Sequence, residues 1–292
     1  MRTLGSLHAV DSSRARRLLP ALALFTLVAC EPRTSEPTVA EPNKAPVPVE
    51  PRPAPAAKPV EPTPALPQVA GVHYLELVTG GADANAELPM IIAIHGLGDS
   101  PEGFSMLLAS FDRPARVILP RALDPYEPGW SWFPIRARDT DVEALAAGIE
   151  RATDALAPAI AALTEQRPTK GKPIVTGFSQ GGMLSFTLAV HHGELFSAAF
   201  PVGGWLPPPL WPKPEADAKQ SPPIVAFHGD ADVAVKIEPT EAAVRNLQKS
   251  GYAVELNVYA GVGHAIPEDM RDDLLDGLRD AIAKLESNPE TK

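Results

Sequence analysis

From Gln68 onward the chain alternates short apolar runs with longer stretches in which apolar residues recur every three to four positions. VHYLELV (72–78), MIIAIHG (90–96), ARVILP (115–120), PIVTGF (173–178), SAAFPVGG (197–204), PIVAFHG (223–229) and AVELNVY (253–259) predict strands. Several of these runs are unbroken rather than alternating, as expected of strands covered on both faces. Between them, DTDVEALAAGIERATDALAPAIAALTEQ (139–166) has helical spacing with an expected kink at Pro158. MLSFTLAVHHG and PTEAAVRNLQKSG read as helices ending in glycine, and a last helix starts near Pro267. Strand and helix in alternation predict an α/β fold, a mostly parallel central sheet with helices on both faces. About 220 residues suit one such domain, 68–292, without a cap domain or propeller.

The first part of the chain is patterned differently. Arg14, Arg16 and Arg17 precede an apolar run from Leu18 to Ala29, too short to span a bilayer as a helix but suited to the apolar region of a secretory signal. LVAC (27–30) resembles the lipobox of bacterial lipoproteins, in which the cysteine is lipidated and becomes the first mature residue. That likeness makes residues 1–29 a lipoprotein signal peptide and Cys30 the lipidation site. Glu31 stands where an aspartate would favour inner-membrane retention, so an outer-membrane, extracytoplasmic location is expected. Residues 30–67 hold twelve of the 34 prolines and no apolar period, which predicts a disordered, extended tether.

Cys30 is the only cysteine, so no internal disulfide can form. The formal net charge of −10 makes nucleic acid a poor partner and leaves the lipid, not a basic patch, to hold the membrane. The scattered histidines suggest no metal cluster.

VTGFSQGGML (175–184) sets Ser179 between glycines at the point where an apolar run gives way to a helix. A nucleophile elbow needs this arrangement, because side chains two positions before and after the serine would collide with the neighbouring strand and helix. Such a serine needs an acid and then a histidine downstream. Asp230 and Asp232 follow one predicted strand, and His264 follows another, flanked by Gly261, Gly263 and Pro267. His95 and His228 also end strands, but in His-Gly steps that read as chain turns.

IHGLGDS (94–100), GFSQGG (177–182), GGWLP (203–207), HGDADVAV (228–235) and GVGHAIP (261–267) together resemble the successive blocks of the phospholipase/carboxylesterase family of α/β-hydrolases, which includes acyl-protein thioesterases. The resemblance implies an α/β-hydrolase fold, a triad of Ser179, Asp232 and His264, and an oxyanion hole from the backbone N–H groups of Leu97 and Gln180. It implies neither metal nor organic cofactor. EPGWSWFPI (127–135) is similar to the family's aromatic segment, so Trp132 and Phe133, with Trp205, are expected to line an acyl groove.

The expected activity is therefore hydrolysis of small or medium carboxylic esters through an acyl-enzyme, with a small-molecule ester as the substrate. Phospholipase, thioesterase and feruloyl- or polyester-type activities are the alternatives within the class. A catalytically inactive hydrolase fold serving as an envelope binding module is the alternative outside it.

Overall fold

A computed structural model describes residues 65–137, 139–212 and 218–287. The expected signal peptide (1–29), Cys30 and nearly all of the expected tether (30–67) lie outside the described residues.

The described chain opens with a hairpin, β1 (Gln68–Val69) and β2 (Val72–Val78), turned through Ala70 and Gly71 at φ 45° and 85°. Two successive positive φ values give the turn the twist that matches its flanking strands. β3 (Met90–Ile94) follows, then the short helix α1 (Pro101–Ser105), β4 (Arg116–Pro120), and a separate two-stranded hairpin of β5 (Asp124–Tyr126) and β6 (Gly129–Ser131). Neither α1 nor this hairpin is expected from the apolar pattern, since each is too short to establish a period. α2 (Val142–Gln166), β7 (Ile174–Phe178), α3 (Gln180–His191), β8 (Ala198–Val202), β9 (Ile224–Gly229), α4 (Ile237–Lys249), β10 (Val254–Tyr259) and α5 (Glu268–Ser287) complete the order.

The main sheet has eight strands in the order β1-β2-β4-β3-β7-β8-β9-β10. Only the pairs β1/β2 and β2/β4 are antiparallel; from β4 through β10 every neighbour is parallel. The carboxyl ends of β3, β7, β8, β9 and β10 therefore share one edge, where ligands of open α/β sheets bind.

The unbroken apolar runs are explained by burial on both faces. Met90, Ile92 and Ile94 of β3 pack into the layer made with α2, α3 and α4, while Ile91 and Ala93 pack into the opposite layer with α1 and α5. All five residues are fully buried. β10, at the sheet edge, has several exposed positions, which accounts for the polar residues in its sequence.

α2 begins where the Asp141 side chain accepts from the Ala144 N–H at 2.9 Å. It continues as one helix through Pro158 and stops at Gln166, because Arg167 precedes Pro168 and is held extended. None of the described helices is both long and apolar enough to cross a membrane.

Candidate active site

Ser179 sits at the end of β7 as the N-cap of α3, with φ 57° and ψ −114°. It is one of two non-glycine residues at positive φ among those described, and the other lies in the β1–β2 turn. The glycines around it are there because backbone passes within contact distance. A Cβ on Gly177 would stand 2.5 Å from the Gly181 carbonyl oxygen, one on Gly181 2.0 Å from that of Ile94, and one on Gly182 2.4 Å from that of Val202. An N-cap serine ordinarily spends its hydroxyl on the first helical N–H groups. The Ser179 hydroxyl makes no such bond and lies 2.9 Å from His264 Nε2.

His264 comes from the loop after β10, and its ring stacks on Phe178 with centroids 4.7 Å apart. Its Nδ1 lies 2.6 Å from Asp232 Oδ2. The other oxygen of Asp232, Oδ1, accepts from the backbone N–H groups of Ala234 at 2.9 Å and Val235 at 2.8 Å. The carboxylate is thus an acceptor on both oxygens, Nδ1 must donate, and Nε2 is left with a lone pair aimed at the serine hydroxyl. The side chain of Asp232 is buried and that of His264 is partly open to solvent.

Asp230, the other acid two residues away, is exposed and accepts from the Gly261 N–H at 2.6 Å. It ties the loop that carries His264 to the loop that carries Asp232, and its carboxylate makes no bond to the imidazole. The structure thus brings Asp232, and not Asp230, to His264.

The loop after β3 runs alongside the elbow: a Cβ on Gly96 would be 3.3 Å from the Ser179 Cβ. Among the described residues, the backbone N–H groups of Leu97 and Gln180 donate to no protein acceptor. The first belongs to this loop and the second to the first residue of α3, where N–H groups are unspent and the helix dipole favours negative charge.

The Gln180 side chain, of which the sequence is silent, holds the segment beside it. Its Oε1 accepts from the Trp132 N–H at 2.9 Å, and its Nε2 donates to the Phe133 carbonyl at 2.8 Å.

A cavity of about 540 Å3 opens over Ser179 and His264, walled by Tyr126, Pro128, Ile135, Phe178, Met183 and Val235. The aromatic residues expected in this groove are elsewhere. Trp132 and Phe133 are fully buried, Trp205 is nearly so, and none of the three lines the cavity. They pack in the core with α2 and α3, and the Trp132 indole N–H donates to the His95 carbonyl at 2.9 Å. That bond allows Trp132 to be buried fully, because its indole N–H has an acceptor. A larger recess of about 910 Å3 lies against α5 and β8–β10. None of Ser179, Asp232 and His264 lines it.

Two further histidines are buried near the site. His95 Nδ1 donates to the Gly96 carbonyl at 2.7 Å, and its Nε2 accepts from the Ala122 N–H at 3.2 Å. His228 Nε2 lies 2.8 Å from the Val235 carbonyl and 3.6 Å from Asp232 Oδ2, with Nδ1 3.1 Å from the Thr240 hydroxyl. Thr240 Oγ1 also lies 3.0 Å from the Gly204 carbonyl oxygen. Burial pushes the pKa of both imidazoles below the ordinary value. The His-Gly step marks His228 only as a turn residue. The signal that could have found it is its position, four residues before Asp232 on the strand that delivers the acid. Among the described residues no group of three or more His, Cys, Asp or Glu side chains could hold a metal ion.

Residues 78–282 match the family model described as Phospholipase/Carboxylesterase. Acyl-protein thioesterase 1 of Neurospora crassa is 28% identical over 223 residues, covering 69% of this chain and 90% of its own. Acyl-protein thioesterase 1 of Gibberella zeae is 26% identical over 212 residues, covering 64% of this chain and 88% of its own. Among solved structures, esterase PE8 superposes with a TM-score of 0.62 at 24% identity, covering 72% of this chain and 99% of that one. Acyl-protein thioesterase 2 of Zea mays superposes with a TM-score of 0.56 at 24% identity over the same shares. At that identity the superpositions speak for the fold, an α/β-hydrolase sheet, while the family match spans β3 through most of α5. On these grounds the chain belongs to the phospholipase/carboxylesterase family.

Proposed function

We propose that this enzyme is a serine hydrolase that cleaves small or medium acyl esters, with Ser179 as nucleophile, His264 as base and Asp232 as the acid that orients it. The observation that supports this reading is the hydrogen-bonded line from Asp232 through His264 to a serine held at positive φ beside an open cavity. In the reaction, Ser179 Oγ attacks the acyl carbon as His264 Nε2 takes its proton, and Asp232 stabilises the imidazolium. The negative oxygen is received by the N–H groups of Leu97 and Gln180. Collapse of the tetrahedral species breaks the ester C–O bond, and His264 returns the proton to the departing alcohol. Water, deprotonated by the same imidazole, then releases the acid and restores the serine.

The test is turnover of 4-nitrophenyl esters of increasing acyl length by the wild type and by Ser179→Ala, with folding checked by circular dichroism. Activity that disappears with the serine is expected. A folded wild type inert on every chain length would instead favour the inactive binding module, and activity that survives in Ser179→Ala would remove Ser179 as nucleophile.

Thioesters are the second reading, favoured by the thioesterase relatives and by the largely apolar cavity wall. A higher kcat/KM for an acyl thioester than for the oxygen ester of the same chain would select it.

The Arg14–Cys30 pattern supports export and lipid anchoring at Cys30, with the Pro-rich stretch as the tether to an outer-membrane site. Detergent-phase partitioning of the wild type and aqueous partitioning of Cys30→Ala are the expected results. Equal partitioning of the two would rule the anchor out.

A further inference from the structure

Among the described residues, the cavity over Ser179 is lined by one guanidinium that forms no ion pair with a carboxylate. We propose that Arg136 makes this cavity a site for esters bearing an anionic group, carried on either the acyl or the alcohol part. The inference rests on the hydrolase reading above and specifies its substrate class.

Arg136 lines the same cavity as the serine and the histidine. Among the described residues it is the only arginine that meets neither a carboxylate nor an aromatic face. Arg113, Arg116, Arg151, Arg167, Arg245, Arg271 and Arg279 are all ion-paired, and Arg121 lies over the Trp130 ring. In a chain with a formal net charge of −10 carboxylates are plentiful, so a guanidinium without one stands out.

Its one side-chain hydrogen bond goes to the Tyr126 hydroxyl, at 3.1 Å. Tyr126 also lines the cavity, with its ring beside Gly98 in the loop that bears Leu97. That bond uses one of five donors and leaves the rest of the fork for a carboxylate or phosphate.

Two acids close in the chain or in the cavity make hydrogen bonds to backbone rather than ion pairs with this guanidinium. Asp139 Oδ2 accepts from the backbone N–H of Arg136, at 2.9 Å, and so fixes the main chain without neutralising the side chain. Asp99 lines the cavity too, but its Oδ1 accepts from the Ser100 N–H at 2.7 Å at the start of α1. Ile135, Met183 and Val235 supply apolar wall between these polar points, which suits a short hydrocarbon stem ending in a charge.

The experiment compares kcat/KM of the full chain for mono-4-nitrophenyl glutarate and its neutral methyl ester. A second arm compares 3-carboxy-4-nitrophenyl butyrate with 4-nitrophenyl butyrate. The first places the carboxylate on the acyl side and the second on the alcohol side. In one arm the charged ester should exceed its neutral partner by about tenfold, the scale of one charge-assisted contact in a partly open site. The excess should shrink in 0.5 M salt.

Arg136→Gln should bring that ratio to about one, Arg136→Glu should invert it, and Arg136→Lys should keep part of it. A ratio within each variant is insensitive to the amount of folded enzyme. Charged esters no better than neutral ones in both arms, or a preference that Arg136→Gln leaves intact, would overturn the proposal. Loss of turnover on the neutral esters by the wild type would show instead that the hydrolase reading beneath it is wrong.

Discussion

Replacing Asp232 by asparagine is the sharpest perturbation of this site, because the surrounding hydrogen bonds dictate which way the new amide must face. Oδ1 of Asp232 accepts from two backbone N–H groups, those of Ala234 and Val235, at 2.9 and 2.8 Å. The amide oxygen of the introduced asparagine has to take that place. Turned the other way, the NH2 would confront two N–H donors and leave both unpaired at a cost of roughly 1–3 kcal/mol each. With its oxygen so fixed, the amide presents NH2 to His264 Nδ1, now 2.6 Å from Oδ2. Two donors cannot share a bond, so Nδ1 gives up its proton and the imidazole carries it on Nε2. The base then has no lone pair facing Ser179. The expected loss in kcat is about 10⁴-fold, the size known for this inversion in a serine triad. Asp230→Asn should cost less than about tenfold, because an amide oxygen can accept from Gly261 as the carboxylate does. Initial rates on 4-nitrophenyl butyrate, beside thermal melts of both variants, decide the matter. An Asp232→Asn enzyme within tenfold of wild type, or an Asp230→Asn enzyme crippled to the same degree, would refute the reasoning.

Gly181→Ala places a methyl 2.0 Å from the Ile94 carbonyl oxygen in the middle of the sheet; the expected cost is about 3 kcal/mol or more, seen in calorimetry as a Tm drop of roughly 10 °C, and a Tm within about 2 °C would contradict it. Thr240→Val removes the hydroxyl that joins His228 to the Gly204 carbonyl. Because His228 Nε2 lies 3.6 Å from Asp232 Oδ2, the substitution should lower stability by about 2 kcal/mol and reduce kcat more than it changes KM, with Thr240→Ser recovering both; a melt and rate equal to wild type would show that this bridge supports neither the fold nor the site. Burial depresses the folded-state pKa of His95 and His228, so the unfolded chain binds more protons and stability rises with pH across the interval between folded and unfolded values. Tm should therefore fall as pH drops below about 6.5, with a shallower slope in His95→Gln; equal slopes would exclude that histidine from the effect.

How far the fold could be read from the residues depended on length and on burial. β3, β7 and β9 are unbroken apolar runs because both faces of the sheet are covered, and each was visible for that reason. β5, β6 and α1 are three to five residues long and too short to show a period. The Pro-Gly step at 128–129 marks the turn of the hairpin, and Ser100 followed by Pro101 marks the start of α1.

At the site, Ser179, Asp232 and His264 could be placed because each follows a strand on the shared carboxyl edge. Side-chain direction was less legible. Trp132 and Trp205 have the composition of a groove and the burial of a core, and sequence alone does not separate the two. The buried contacts of His228 were hidden because one of them is to Thr240, twelve residues away on a helix that packs against the sheet.

The positive φ of Ser179 has a consequence for anyone seeking a hardier version of this protein. A non-glycine residue held there carries of order 1–3 kcal/mol of backbone strain, much of which glycine would relieve, less what it adds to unfolded-chain entropy. One of the two described residues whose replacement by glycine would relax the backbone is therefore the proposed nucleophile. On the proposed mechanism, a library sorted on heat resistance alone would enrich inactive molecules at position 179, so selection has to be coupled to turnover from its first round.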